Sequence, residues 1–358
     1  SDPWQVHSSD DENGSVLHMR AYRKAAAGCA LLLALATAGC AGPDGGTGDT
    51  NGTEDRATAA PSGSSTPVTA YAPYVSATTA SADDSAGSPA TYNLAFVISS
   101  GDDCVPRWNG VQDIDDTSVA SRIAKLKESG ATVRVSFGGA SGTELAAVCD
   151  SASDLADAYG AALDAAGATR ADFDVEGDDL TDTDSVALRS EAIALLQEER
   201  DGLEVSFTLP VMPSGLDSDS LALLDSANDH AVQVSAVNLM TMNYGESYDG
   251  DMGDYALASA KAAHAQLTEV FGTSDADAWR GMALTSMLGV NDVAGETFTL
   301  ADAAEVRAFA EEKGIAWVSV WAAFRDRQCA EDASAADALT TCSGVEQEDG
   351  AFGAAFGA

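Results

Sequence analysis

Three carboxylates at alternate positions, Asp172, Asp174 and Glu176, run through the stretch Ala171-Asp172-Phe173-Asp174-Val175-Glu176-Gly177. On a β-strand this spacing puts the acids on one face and the intervening Phe173 and Val175 on the other. Buried charge is costly unless paired, so such a strand suits the mouth of a barrel, acids inward and apolar side chains against surrounding helices. Alternate strand residues lie about 6.6 Å apart. Three carboxyls so spaced in a partly dry site do not all ionise easily, and at least one pKa should rise. A raised carboxyl is what general acid catalysis near neutral pH requires, and Glu176 is the last and longest of the three, nearest the opening. A solvated strand or a calcium-binding loop would also gather acids in this way, so the chemistry depends on what stands beside them.

Short apolar runs at 72–77, 93–99, 132–137, 171–176, 204–211, 236–242, 282–287 and 316–321 read as strands. Helical patterns separate them at 117–128, 152–166, 184–199, 218–228, 255–270 and 300–313. Gly130, Gly167, Gly202 and Gly314 stand where left-handed C-caps are expected. Eight strands alternating with helices predict a (β/α)8 TIM barrel, a single domain over 71–358, with its first βα unit the least periodic. Chemistry in such barrels sits at the C-terminal ends of the strands. There the chain places Ser136-Phe137-Gly138-Gly139, the acidic stretch, Met240-Thr241-Met242-Asn243-Tyr244-Gly245, and Trp321 followed by Arg325-Asp326-Arg327. Trp321 and the Met pair, taken alone, would suit an ordinary core.

Residues 1–18 read as an upstream extension and 19–40 as a signal peptide, with a basic start at Met19, an apolar run and a lipobox-like end at Thr37-Ala38-Gly39-Cys40. Cys40 would carry the lipid. The polar, Gly/Ser/Thr/Pro-rich segment 41–70 is expected to be a disordered tether. The protein is thus expected at the cell surface or outside the cell, as a monomer that meets a membrane only through its anchor. Four further cysteines in an exported chain read as disulfides. Of three possible pairings, Cys104–Cys149 and Cys329–Cys342 are favoured because each flanks one loop region. The second closes a short loop, worth about 3 kcal/mol in the chain-entropy model. The spacings match no zinc site. With 57 acidic and 18 basic residues, a net charge of −39, nucleic acid is excluded as a partner by repulsion. The acidity suits a surface kept soluble at high salt, or one that attracts a cationic substrate.

Together these segments resemble glycoside hydrolase family 18, the chitinase family. Its S-x-G-G strand appears at Ser136, Gly138 and Gly139, and its D-x-x-D-x-D-x-E strand at Asp172, Asp174 and Glu176. A Met- and Tyr-bearing strand appears at 240–244 and a last-strand Trp at Trp321. Stretches 71–74, 205–210 and 289–293 resemble a compact secreted bacterial branch. The resemblance implies hydrolysis of β-1,4-linked N-acetylglucosamine polymers with retention of configuration, and no metal or cofactor. Glu176 would protonate the glycosidic oxygen. The sugar's own 2-acetamido carbonyl would attack the anomeric carbon, as this family does in place of a second carboxylate. Asp174 would accept the acetamido N–H and Tyr244 would position its carbonyl. Asp172 and Ser136 would support Asp174 from beneath, Trp321 would floor the reacting ring, and Met242, Asn243, Gly138 and Gly139 would complete the sugar site.

Two departures stand out. Thr169 takes the place of the motif's first Asp, at the deep end, where its effect would be on proton relay. Asn243 replaces an Asp and cannot carry charge. The alternatives are an endo-β-N-acetylglucosaminidase acting on glycans, and a non-catalytic surface protein that binds chitin oligosaccharides.

Overall fold

The computed structural model describes residues 68–357. The upstream extension, the signal segment, the lipobox with Cys40 and the tether as far as residue 67 lie outside the described residues. Residues 69 and 70, expected within the tether, belong to the folded part instead. Thr69 is buried, donates from its hydroxyl to Ala310 O at 3.1 Å and accepts Arg307 Nη1 at 3.0 Å, and Ala70 pairs with Trp317.

Eight parallel strands form the framework. Strand β1 comes in two pieces, Ala70–Tyr71 and Tyr74–Ser76, interrupted at Pro73, which has no N–H to donate. It is followed by β2 (Thr91–Ser99), β3 (Thr132–Gly138), β4 (Arg170–Asp174), β5 (Glu204–Pro210), β6 (Val234–Met240), β7 (Met282–Met287) and β8 (Trp317–Trp321). Neighbours pair in sequence order from β2 to β8. The first piece of β1 pairs with β8 and the second with β2, so this segment joins the two ends of the sheet.

Six helices alternate with the strands: α1 (Thr117–Lys127), α2 (Ala152–Ala166), α3 (Thr183–Glu199), α4 (Ser218–Asp229), α5 (Met252–Phe271) and α6 (Leu300–Lys313). Each begins at an Asp, Ser or Thr whose side chain accepts a first-turn N–H, which typically stabilises a helix by about 1 kcal/mol. Gly167 and Gly314 are left-handed C-caps as expected. Gly130 and Gly202 instead lie two residues past the caps Glu128 and Arg200, in the turns that follow. Between β1 and β2 the described chain makes turns rather than a helix. There Ser81 N–H bonds Asp84, which also receives Arg122 at 2.7 Å, and this local bonding competes with helix formation. Two small hairpins escaped the sequence reading: Pro106–Trp108 with Gln112–Asp113, and Gly289–Val290 with Thr297–Phe298.

The outward faces of β3, β4 and β5 supply Phe137, Phe173 and Phe207. Phe173 lies 5.2 Å from the Phe137 ring, 5.9 Å from Phe207 and 4.9 Å from Tyr159 of α2. Each phenylalanine is fully buried, worth about 1.5–3 kcal/mol apiece. That packing fixes the parity of β4 and turns its acids inward. Disulfides Cys104–Cys149 and Cys329–Cys342 are both formed, tying the segments after β2 and β3 together and closing the loop after β8.

Candidate active site

Register decides what Asp172 meets. Ser136 on β3 and Ser206 on β5 stand beside it in the sheet. Ser136 Oγ donates to its Oδ2 at 2.7 Å and Tyr74 OH at 2.9 Å, while Ser206 Oγ and Thr208 Oγ1 donate to its Oδ1, both at 2.8 Å. Hydrogen bonds to a charged group are worth about 1.5–3 kcal/mol each, so four of them offset much of the cost of this carboxylate's burial. The network continues outward: Asn238 Nδ2 donates to Thr208 Oγ1 at 2.9 Å, and Thr285 Oγ1 donates to Asn238 Oδ1 at 2.9 Å. Two residues before Ser136, buried Arg134 stacks 4.0 Å over Trp317. Burial lowers its pKa, and the nearby Asp172 charge works against that loss.

Asp174 and Glu176 hydrogen-bond to each other above this base. Burial pushes the Asp174 carboxyl far up, with Glu176 and Asp172 adding to the push. Burial likewise raises Glu176, to about 8. The pair therefore keeps a proton at neutral pH, which is the state a proton donor needs. Its Asp174 Oδ1 and Glu176 Oε1 are buried without a hydrogen-bond partner, in residues that line the cavity.

The glycine pair lets β3 come this close. A Cβ on Gly138, at φ +93°, would lie 2.2 Å from Asp174 O, and Gly139 N donates to that same oxygen at 2.9 Å. A Cβ on Gly139 would press on the Phe96 ring at 2.9 Å. Both glycines thus act through backbone approach.

The cavity has two joined parts that share Met240 and Met242. Glu176, Met212 and Asn243 line the outer part, and Tyr74, Asp174, Thr208, Thr285 and Trp321 the inner. Trp321, half-buried, packs beside Met240, Met242 and Met287, with Phe96 5.5 Å and Tyr74 5.8 Å from its ring. Asp217, the other acid of the outer part, caps α4 by accepting Ser220 N at 2.8 Å.

Tyr244 does not reach this cavity, contrary to expectation. It is buried against α5, its hydroxyl accepting Ser259 Oγ at 3.3 Å and its ring lying 5.8 Å from Tyr248 and 5.9 Å from Tyr255. The cause lies in the turn that follows β6. Strand β6 ends at Met240, and Asn243 adopts φ +54°, which breaks the alternation and turns the next side chain outward. Met242 and Asn243 take the inward places. Thr169 is exposed at the opposite end of β4, away from any relay. The charged run after β8 is scaffold. Arg325 donates to Val290 O and Ala338 O at 2.8 and 2.7 Å, Asp326 receives Phe352 and Gly353 N–H, and Arg327 pairs with Asp83.

The sequence reading gave no role to Tyr74, Ser206, Thr208, Asn238 or Glu296. The alternation Val205-Ser206-Phe207-Thr208-Leu209 carried a signal for two of them, since polar residues at that parity face inward. Glu296 is buried and accepts Gly245 N at 2.9 Å.

No family model matches the chain. Over 275 residues, 72% of its length, it is 33% identical to the probable bifunctional chitinase/lysozyme of Escherichia coli (strain K12). Over 274 residues it is 32% identical to endochitinase 11 of Metarhizium anisopliae. It spans 31% and 52% of the lengths of these two relatives. Among solved structures, active domain 2 of the thermostable chitinase from Pyrococcus furiosus, a catalytic-site mutant complexed with chito-oligosaccharides, superposes with a TM-score of 0.70 at 28% identity. That match covers 81% of this chain and 94% of the other.

Proposed function

The chain belongs to glycoside hydrolase family 18, the chitinase family, and from that premise we propose that it hydrolyses β-1,4-linked N-acetylglucosamine polymers, chitin or its oligosaccharides. The observation that carries this reading is the hydrogen-bonded Asp174–Glu176 pair in the barrel mouth, held up by a base of hydroxyls and faced by Trp321.

Glu176, protonated below about pH 8, gives its proton to the glycosidic oxygen as the bond breaks. The 2-acetamido carbonyl oxygen of the sugar on the Trp321 floor attacks the anomeric carbon and forms an oxazolinium ion. The one proton that the pair keeps has then left with the glycosidic oxygen, so Asp174 is ionised. It turns from Glu176 to the acetamido N–H, accepts that hydrogen bond and stabilises the positive charge, while Asp172 remains anchored by its four donors. Glu176, now ionised, takes a proton from water, which opens the ring with retention of configuration. Asn243 is the amide that lines the cavity together with Glu176. The two disulfides support export, and with it the extracellular or lipid-anchored setting read from residues 19–40.

The test is reducing-end release from defined chitin oligosaccharides by the full chain. Wild type is expected to cleave them, and Glu176→Gln to lose at least about a thousandfold in kcat while still binding. Binding without cleavage by both proteins would make this a glycan receptor. Release of glycans from a glycoprotein with chitin untouched would make it an endo-β-N-acetylglucosaminidase.

A further inference from the structure

The turn that carries Asn243 is plugged by a buried carboxylate from a distant loop. Glu296 closes the loop between Gly289–Val290 and Thr297–Phe298 and is 1% exposed. Its Oε1 accepts Gly245 N at 2.9 Å. The N–H groups of Asn243 and Tyr244 also favour its charged form, against a burial that raises its pKa to about 7. Asn243 at φ +54° and Gly245 at φ +116° bend the chain sharply here, and the bend brings Gly245 N–H onto Glu296 Oε1. The grip is reciprocal. Val293 N, on the Glu296 loop, donates to Asn243 Oδ1 at 3.3 Å, and Asn291 Nδ2 ties that loop to Met287 O at 2.8 Å.

We propose that Glu296 is a positioning residue for the reaction, holding the 243–245 backbone in its left-handed form and thereby keeping Asn243 in the cavity beside Glu176. The proposal rests on the hydrolytic reading above. An extended backbone at Asn243 would restore the alternation of β6, carry the amide out of the mouth and swing Tyr244 toward it. The left-handed form costs an ordinary residue conformational energy, and the bonds from Gly245 N to Glu296 Oε1 and from Val293 N to Asn243 Oδ1 offset that cost. Glu296 touches no substrate in this scheme and acts through Asn243.

The experiment compares the full-length wild type with Glu296→Ala and Glu296→Gln. Readouts are kcat and KM on a chromogenic N-acetylglucosamine oligosaccharide, thermal unfolding, and methyl NMR of the methionines, since Met242 adjoins the turn and Met287 lies 3.9 Å from Asn243 Nδ2. Well below the unfolding transitions, Glu296→Ala is expected to raise KM about tenfold, more than it lowers kcat, and to move the Met242 and Met287 methyl resonances. Glu296→Gln keeps an acceptor for Gly245 N–H and should restore most of both. Unchanged kinetics and methyl resonances in Glu296→Ala would overturn the proposal. So would equal losses in both variants that simply follow a lowered unfolding temperature. If wild type cleaves no N-acetylglucosamine oligosaccharide, the hydrolytic reading fails, and the methyl spectra still decide whether Glu296 holds the turn.

Discussion

Asn243 Nδ2 lies 3.5 Å from Asp292 Oδ2, so an amide donates at a point where a second carboxylate would repel. The same amide lines the cavity with Glu176. Because Glu176 is the proton donor and sits at about 8, the donor form is lost as pH rises through that value, and kcat/KM should fall on the alkaline side near pH 8. Asn243→Asp adds a negative charge beside Glu176, which disfavours its deprotonation and moves this limb to higher pH by about half a pH unit. The backbone accepts the change, since Asp takes a left-handed φ nearly as well as Asn, but the new carboxylate faces Asp292 where the amide donated. A pH profile of kcat/KM checks this, and a limb unmoved from that of wild type would place residue 243 outside electrostatic reach of the donor.

Strand register and glycine placement build the site from its elements. Gly138 allows β3 to lie against the carbonyl of Asp174, so Gly138→Ala should lower stability by about 2 kcal/mol or more and disable turnover as well. Gly130, also at positive φ but with open space around it, is the control: Gly130→Ala should cost only about 1 kcal/mol and leave activity intact. Denaturant midpoints of the two variants make the comparison, and equal losses would mean that the Gly138–Asp174 approach is not what matters. The strands, most helices and the inward acids were readable in the sequence because alternation, helical period and capping residues are local signals. The end of β6 was not. The turn that sets the φ of Asn243 is held by Glu296, which lies 51 residues beyond the Gly245 whose N–H it accepts, and with local alternation alone Tyr244 reads as inward. Nor did any local pattern single out Tyr74 or Asn238, whose roles come from strands that only the closed sheet brings together.

Across the whole molecule, electrostatics favour mildly acidic conditions. Burial raises Asp174 and Glu176, and it also raises Asp179 to about 6 and Glu296 to about 7. Their folded values exceed the unfolded ones, so the stability they contribute is full below the unfolded pKa values and is lost as pH rises through the folded ones, over about pH 6 to 8. Self-repulsion from a net charge of −39 works in the same direction. Calorimetry of the full chain should show a Tm several degrees higher at about pH 5.5 than at about pH 8.5. Salt should narrow the gap only in its exposed, screened part, and a Tm that rises with pH would contradict the account. Time adds another constraint, because β1 hydrogen-bonds at one end to β2 and at the other to β8. On the ribosome, the earliest strand waits for the last. Until Trp317–Trp321 emerges, β1 and β7 each present an open edge that another chain can extend, and only the final strand seals both. The half-synthesised protein is therefore the form most prone to aggregate, and a chain truncated before residue 317 keeps that liability for life.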